Sequence, residues 1–415
     1  MVSYKKHTLS NGLRVLVHRD ETTPMATVNV LYDVGSRDED PGRTGFAHLF
    51  EHLMFEGSVN IADYDYHLQR AGGENNAFTT NDLTSYYINL PAQNLETAFW
   101  LESDRMLGLD FSEEKLTTQK KVVTEEYRQS YLNQPYGDAW KLLRPLIYEV
   151  HPYRWDTIGK SIDHIQQASL QDVQSFFTKF YHPGNAILSV AGNVDAEKVF
   201  ALAEKWFGSI PSGVTPERKL PAEPPQQQER RLRVERDVPQ HQVYMAFRME
   251  GRLDPGFYAS DLISDILANG ESARLNTTLV YDQKHFSDVN AFVTGNIDPG
   301  MLVITGKPHS HLDPPEAEQL LWREIQRLTE TGVDNTELQK VINKVEAAHT
   351  FSESSVMAKA LNLAYYELLG DASILNSQME EYAAISARQI KEQASAVLVP
   401  EKASILQYNA SSENR

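Results

Sequence analysis

Apolar residues recur along this chain with two periods. From Met25 to Val34, Ala26, Val28, Val30 and Tyr32 alternate with Thr27, Asn29 and Leu31. A period of two predicts a half-buried strand. Thr8 to Val17 predicts another strand, entered through the turn signal Asn11-Gly12. Thr84 to Leu90 and Ala186 to Ala191 predict two more. Helical periods run over Leu95–Leu107, with Trp100, Leu101 and Met106 as candidate core, and over Ser169–Phe180 and Asp195–Phe207. Shorter helices are predicted over Ile61–Ala71 and from Tyr136-Gly137 to about Tyr148. Gly72-Gly73 leads into the polar stretch Glu74 to Asp82. A glycine pair before a polar strand marks either an edge beside a ligand or a plain hairpin, and the pattern alone favours the hairpin.

The second half echoes the first. Pro211 to Arg230 carries five prolines, three consecutive glutamines and many charges, and reads as a linker. Leu13-Arg14-Val15 is answered by Leu232-Arg233-Val234, and Met25–Val34 by Gln242–Met249. Ile187 to Gly192 is answered by Leu302 to Gly306. The pattern predicts an α+β protein of two homologous domains, each a mostly antiparallel sheet with helices packed on one side. The expected boundaries are 1–210 for the first domain, 211–231 for the linker and 232–415 for the second domain.

Composition narrows the function. No apolar run approaches the eighteen or so residues of a membrane span. A formal charge of −18 argues against nucleic-acid binding and fits solubility more than steering of cationic partners. Met-Val-Ser-Tyr-Lys-Lys-His shows no apolar leader. The expectation is a soluble protein, cytoplasmic as given, or periplasmic if a leader was removed. Cysteine is absent, so any bound metal must use His, Asp or Glu.

Chemistry concentrates in Phe46 to Ser58. His48 and His52 are four apart and so share one face of a helix, with Glu51 in the same arc. Phe46, Ala47, Leu49, Phe50, Leu53, Met54 and Phe55 surround them, so the helix is expected to be buried, with Gly57 as terminator. Two imidazoles and a carboxylate in a dry setting need a partner, and a divalent cation satisfies all three. His-x-x-Glu-His is the inverted zinc-hydrolase spacing: neutral imidazoles ligate Zn²⁺ and the Glu polarises water. The plainer reading is two core histidines with a hydrogen-bonded Glu. A third ligand is sought on the helix opened by Phe111-Ser112-Glu113-Glu114, with Ser112 as N-cap. Leu116, Val122, Val123 and Tyr127 define its apolar face; Glu126 projects within that face and Glu125 opposite it, towards solvent. Glu126 is therefore the candidate. The second half has no such motif, and His309 and His311 near Asp313 read as loop residues.

These residues carry a resemblance. Asn11-Gly12-Leu13, Gly45 through Gly57, Gly72-Gly73 with Asn76-Ala77-Phe78-Thr79, Val122-Val123 with Glu126, Tyr181-His182-Pro183 and Ala191-Gly192-Asn193-Val194 are similar to the pitrilysin/insulinase family of inverted-motif zinc peptidases, in the branch of single-half subunits like mitochondrial processing peptidase. The resemblance spans nearly the whole chain. It implies Zn²⁺ on His48, His52 and Glu126, Glu51 as general base, and substrate backbone paired with Asn76, Ala77 and Phe78.

Two positions depart from the family pattern. Many relatives carry a Glu where this chain has Gln119, which as an amide can orient a second-shell group but supplies no charge. Large relatives also hold the scissile carbonyl with an Arg and a Tyr, and the corresponding positions here are Val280 and Ser287. The resemblance then implies a chamber-forming dimer, with a related zinc-less subunit supplying the Arg/Tyr pair ahead of a homodimer. The expected activity is zinc-dependent hydrolysis of unstructured peptides. The alternatives are a weakly active peptide-binding or assembly subunit that works only when paired, and a zinc-stabilised structural protein.

Overall fold

A near-continuous apolar strand sits inside each of two sheets. The computed structural model describes residues 1–214 and 217–411. Thr215 and Pro216, within the predicted linker, and the last four residues of the predicted second domain lie outside the described residues. The chain is α+β, with two sheets and many helices. It divides into one unit of Met1–Tyr127, Trp155–Leu220 and His349–Ser377, and another of Arg128–Arg154, Pro221–Ala348 and Gln378–Arg415.

The first unit holds six strands: β1 (Lys5–Thr8), β2 (Arg14–Arg19), β3 (Met25–Tyr32), β4 (Glu74–Thr79), β5 (Thr84–Pro91) and β6 (Ala186–Gly192). Their order is β1-β2-β6-β3-β5-β4, antiparallel except for the β2–β6 pair. The single strand expected over Thr8–Val17 is instead a β1–β2 hairpin broken at Asn11-Gly12. Thr27, Asn29 and Leu31 of β3, read as the solvent face, are buried. The reason lies far along the chain. The helix Val356–Leu368 lies on β3 and β6, and Leu363, Ala364 and Tyr366 pack with Leu16, Leu31 and Ile187.

The second unit holds β7 (Arg230–Arg236), β8 (Gln242–Arg248), β9 (Phe286–Val293), β10 (Met301–Pro308) and β11 (Ala403–Ala410), in the order β7-β11-β8-β10-β9. Only β7 and β11 run parallel. One face carries the main helical core, including Leu262, Ile263, Leu321 and Ile390. The other takes the helix Ala139–Ile147, whose Ala139, Leu143 and Ile147 pack with Tyr244, Ala246, Val303 and Leu406.

Segments 128–154 and 349–377 therefore group with the opposite unit from the one that cuts at 210 and 232 assign them to. The linker stretch is free of helix and strand among its described residues until β7 begins at Arg230. The repeat also needs one realignment. β2 and β6 are parallel neighbours, as are β7 and β11, so the counterpart of Ile187–Gly192 is β11 rather than Leu302–Gly306. No helix of the described residues is long and apolar enough to cross a membrane.

Candidate metal centre

The helix α1 (Phe46–Leu53) begins at Gly45, whose φ of +91° is in the left-handed region. Phe46, Ala47, Leu49, Phe50 and Leu53 are buried, as the pattern predicts. Phe50 stacks on Phe176 and on Tyr181, with ring centroids 5.0 and 5.1 Å apart, which fixes the roll of α1. That roll turns His48 and His52 to the same side, their rings 4.9 Å apart and edge to face.

The helix Glu113–Tyr127 packs beside α1. Ser112 caps it, its hydroxyl accepting from the Lys115 N–H at 3.2 Å. Leu116, Val123 and Tyr127 are buried as expected, but Val122 is 43% exposed. The buried face is thus narrower than the projection suggested, yet Glu126 still turns inwards while Glu125 is exposed. Glu126 Oε2 lies 3.3 Å from His52 Nε2, and Oε1 lies 3.6 Å from His48 Nε2. One donor atom from each of the three residues falls within 4.8 Å of the others, the one such group among the described residues.

This donor set fits zinc. Ligand bonds of about 2.0–2.2 Å in a tetrahedral site place neighbouring donor atoms about 3.3–3.6 Å apart. Burial pushes the His48 imidazole below its ordinary pKa, with Glu126 pulling the other way, and the neutral imidazole is the form that binds a metal. The hydrogen bond with His52 holds the Glu126 carboxyl below the usual range, so it is ionised. His48 Nδ1 is buried with no hydrogen-bond partner among the described residues.

Glu51 lies on the same arc. Its Oε2 accepts a 2.6 Å hydrogen bond from the Thr79 hydroxyl. Thr79 ends β4, which lies against α1 and, among the described residues, is hydrogen-bonded on one side only, to β5. Asn76, Ala77 and Phe78 therefore lie on a sheet edge, with Asn76 and Phe78 exposed. Asn76 Oδ1 accepts from the Ala77 N–H at 2.8 Å.

The predicted second-shell residue reaches elsewhere. Gln119 is buried on the same helix as Glu126, but its amide donates to Glu56, just beyond α1, and its carbonyl oxygen has no partner among the described residues. Two residues to which the sequence assigned no role complete the surroundings. One is Thr79. The other is Glu39, buried at 6% exposure, whose two oxygens accept from the Gly45 and Ala47 N–H groups at 2.9 Å each. Burial pushes its carboxyl up to about 8, against the pull of those two N–H groups. The signal for Glu39 was the missing cap: α1 begins after a glycine rather than Ser, Thr, Asp or Asn.

In the second unit, Val280 is partly buried against the helical core. Ser287 is exposed on β9, and its hydroxyl donates to the Lys307 carbonyl at 3.2 Å. Neither position carries a cationic or phenolic donor. His309 and His311 lie in the loop after β10, with His311 Nε2 3.4 Å from His285 Nδ1.

Comparisons with known proteins agree with this architecture. Residues 14–139 match the family described as "Insulinase (Peptidase family M16)", and residues 167–345 match "Peptidase M16 inactive domain". The zinc protease PqqE of Helicobacter pylori is 35% identical over 288 residues, which cover 68% of this chain and 64% of that protein. The uncharacterized zinc protease YmxG of Bacillus subtilis is 23% identical over 389 residues, 93% of each chain. The crystal structure of a protease from Helicobacter pylori superposes with a TM-score of 0.92 at 27% identity, covering 99% of this chain and all of that one.

Proposed function

The chain belongs to the insulinase (M16) peptidase family, and on that premise we propose that it is a zinc-dependent peptidase that hydrolyses unstructured peptides. The single observation that carries this reading is the convergence of His48 Nε2, His52 Nε2 and the Glu126 carboxylate from two helices, with Glu51 in the same arc. His48, His52 and Glu126 hold the metal. When bound there, zinc supplies a Lewis acid that makes a water acidic and polarises the scissile carbonyl.

The chain's own residues do the rest. Glu51 takes the proton from the attacking water and returns it to the leaving amine. The Thr79 hydroxyl fixes one Glu51 oxygen, leaving Oε1 uncommitted among the described residues. The open edge of β4 at Asn76, Ala77 and Phe78 pairs with an extended peptide, so backbone rather than side chains gives most of the affinity. An extended peptide is what an edge strand accepts, hence the preference for unstructured substrates.

With Val280 and Ser287 at the clamp positions, the oxyanion donors come from a second subunit. We place the chain in a dimer with a related subunit that lacks the metal motif, ahead of a homodimer, working in an aqueous compartment. The match of 167–345 to a domain described as inactive favours one second reading: a peptide-binding or assembly subunit with little turnover until paired.

A peptide-digest assay separates these, using the chain alone and the complex co-purified from its native source. Each is compared with Glu51→Gln, and zinc content is determined in parallel. The proposal expects zinc in both forms, with turnover only where Glu51 is intact. Wild-type turnover in the Gln variant contradicts it. Turnover confined to the native complex selects the paired form, and turnover by the chain alone removes the second reading.

A further inference from the structure

We infer that Glu39, which has no hydrogen bond to the ligands or to Glu51 among the described residues, is a positioning residue that sets the zinc affinity of the site by clamping the first turn of α1. This rests on the zinc reading above. α1 has eight residues, and a helix of two turns does not hold its own shape in isolation. Its first N–H groups need acceptors, usually supplied by the N-cap side chain.

Position 45 cannot supply one. A Cβ there would lie 2.8 Å from the Ile158 carbonyl oxygen and 2.8 Å from Ile165 Cδ1, and the left-handed φ adds strain for any side chain. Glu39 takes over the cap from six residues away, with Oε2 on the Gly45 N–H and Oε1 on the Ala47 N–H. The ionised carboxylate accepts most strongly at both oxygens, so it makes the firmer cap.

Glu39 is itself anchored. The Ser36 N–H donates to the Thr80 carbonyl at 3.2 Å, and the Arg37 N–H to the Asn81 carbonyl at 2.9 Å. The Asn81 amide donates to Ser36 Oγ at 2.7 Å. The segment leading to Glu39 is thus stitched to the residues that follow β4. His48 comes one residue after Ala47, so a shift of the first turn moves its Nε2 relative to Glu126. Groups that hydrogen-bond a metal ligand directly change metal affinity by about 10–100-fold when removed, and that range is the scale expected for a cap one residue from His48.

The test is Glu39→Gln, nearly isosteric, which sets an amide N–H against a backbone N–H. The zinc dissociation constant is measured on the folded apo protein by chelator competition, above the pH at which Glu39 ionises. The visible spectrum of the cobalt form and the apo melting temperature are recorded alongside. The expected result is zinc binding about tenfold to a hundredfold weaker, with shifted cobalt bands in a protein that is still folded. Wild-type affinity and wild-type bands overturn the inference, even if melting falls, because Glu39 then only stabilises the fold. If the Gln variant does not fold, Glu39→Asp serves: its shorter side chain reaches one N–H at most, and unchanged affinity in it overturns the inference equally. A wild type that takes up no zinc defeats the metal reading itself. Wild-type uptake with an indifferent Glu39 variant defeats only this inference.

Discussion

The Thr79 hydroxyl donates to Glu51 Oε2 at 2.6 Å, tying the end of an open sheet edge to the carboxylate between two imidazoles. A hydroxyl–carboxylate bond of this length is charge-assisted, and it selects one rotamer of a side chain that is otherwise free to swing. Thr79→Val keeps the shape and deletes the donor. The expected effect is a fall in kcat of about tenfold with KM little changed, because the base is misplaced while the peptide edge is intact. Thr79→Ser should restore most of the rate. Steady-state kinetics on the three forms check this. A change confined to KM would move Thr79 into substrate binding instead.

β4 pairs with β5 on one side and with no strand on the other among the described residues. If that free edge takes the substrate, a bound peptide must donate and accept at every second residue. Inhibitory peptides N-methylated at successive positions should then lose affinity with a period of two. Inhibition constants for such a series are the measurement. A flat profile argues against strand pairing.

The helix Val356–Leu368 is held to the first unit by Lys359, whose Nζ lies 2.7 Å from Asp20 Oδ2. The Lys359 and Thr22 donors hold the Asp20 carboxyl well below the usual range. A folded-state pKa below the unfolded one means the unfolded chain binds the proton first as the pH falls. The stabilisation is therefore present above about pH 4 and is lost as the pH drops through the depressed value. Lys359→Met should cost about 1 kcal/mol near neutrality, and the gap to the wild type should narrow in acid. Thermal unfolding across pH reads this directly. A gap that stays constant into acid would remove Asp20 as its source.

Legibility in the sequence followed what each residue's own neighbours determine. His48, Glu51 and His52 were readable because the helical period puts them on one arc. Glu126 was readable because Leu116, Val123 and Tyr127 mark a buried face, even though Val122 proved exposed. The helix Val356–Leu368 shows an apolar face, but no period says which sheet that face will cover. Its place on β3 and β6 could not be read, and β3 accordingly looked half-buried. The repeat was visible but misaligned at β10 and β11, since both are short apolar runs and only the parallel pairing tells them apart. Thr79 and Glu39 make contacts across 28 and 8 residues of sequence, which local spacing does not predict; the one local sign was the glycine that leaves α1 without a side-chain cap.

The most direct test is elemental zinc analysis of the purified wild type beside Glu126→Ala, after equilibration against the same zinc buffer. The account predicts a single chelatable zinc per wild-type chain and little or none in the variant, with the fold of both intact by circular dichroism. Zinc retained by Glu126→Ala at the wild-type level would contradict it, because two helices would then not share one cation.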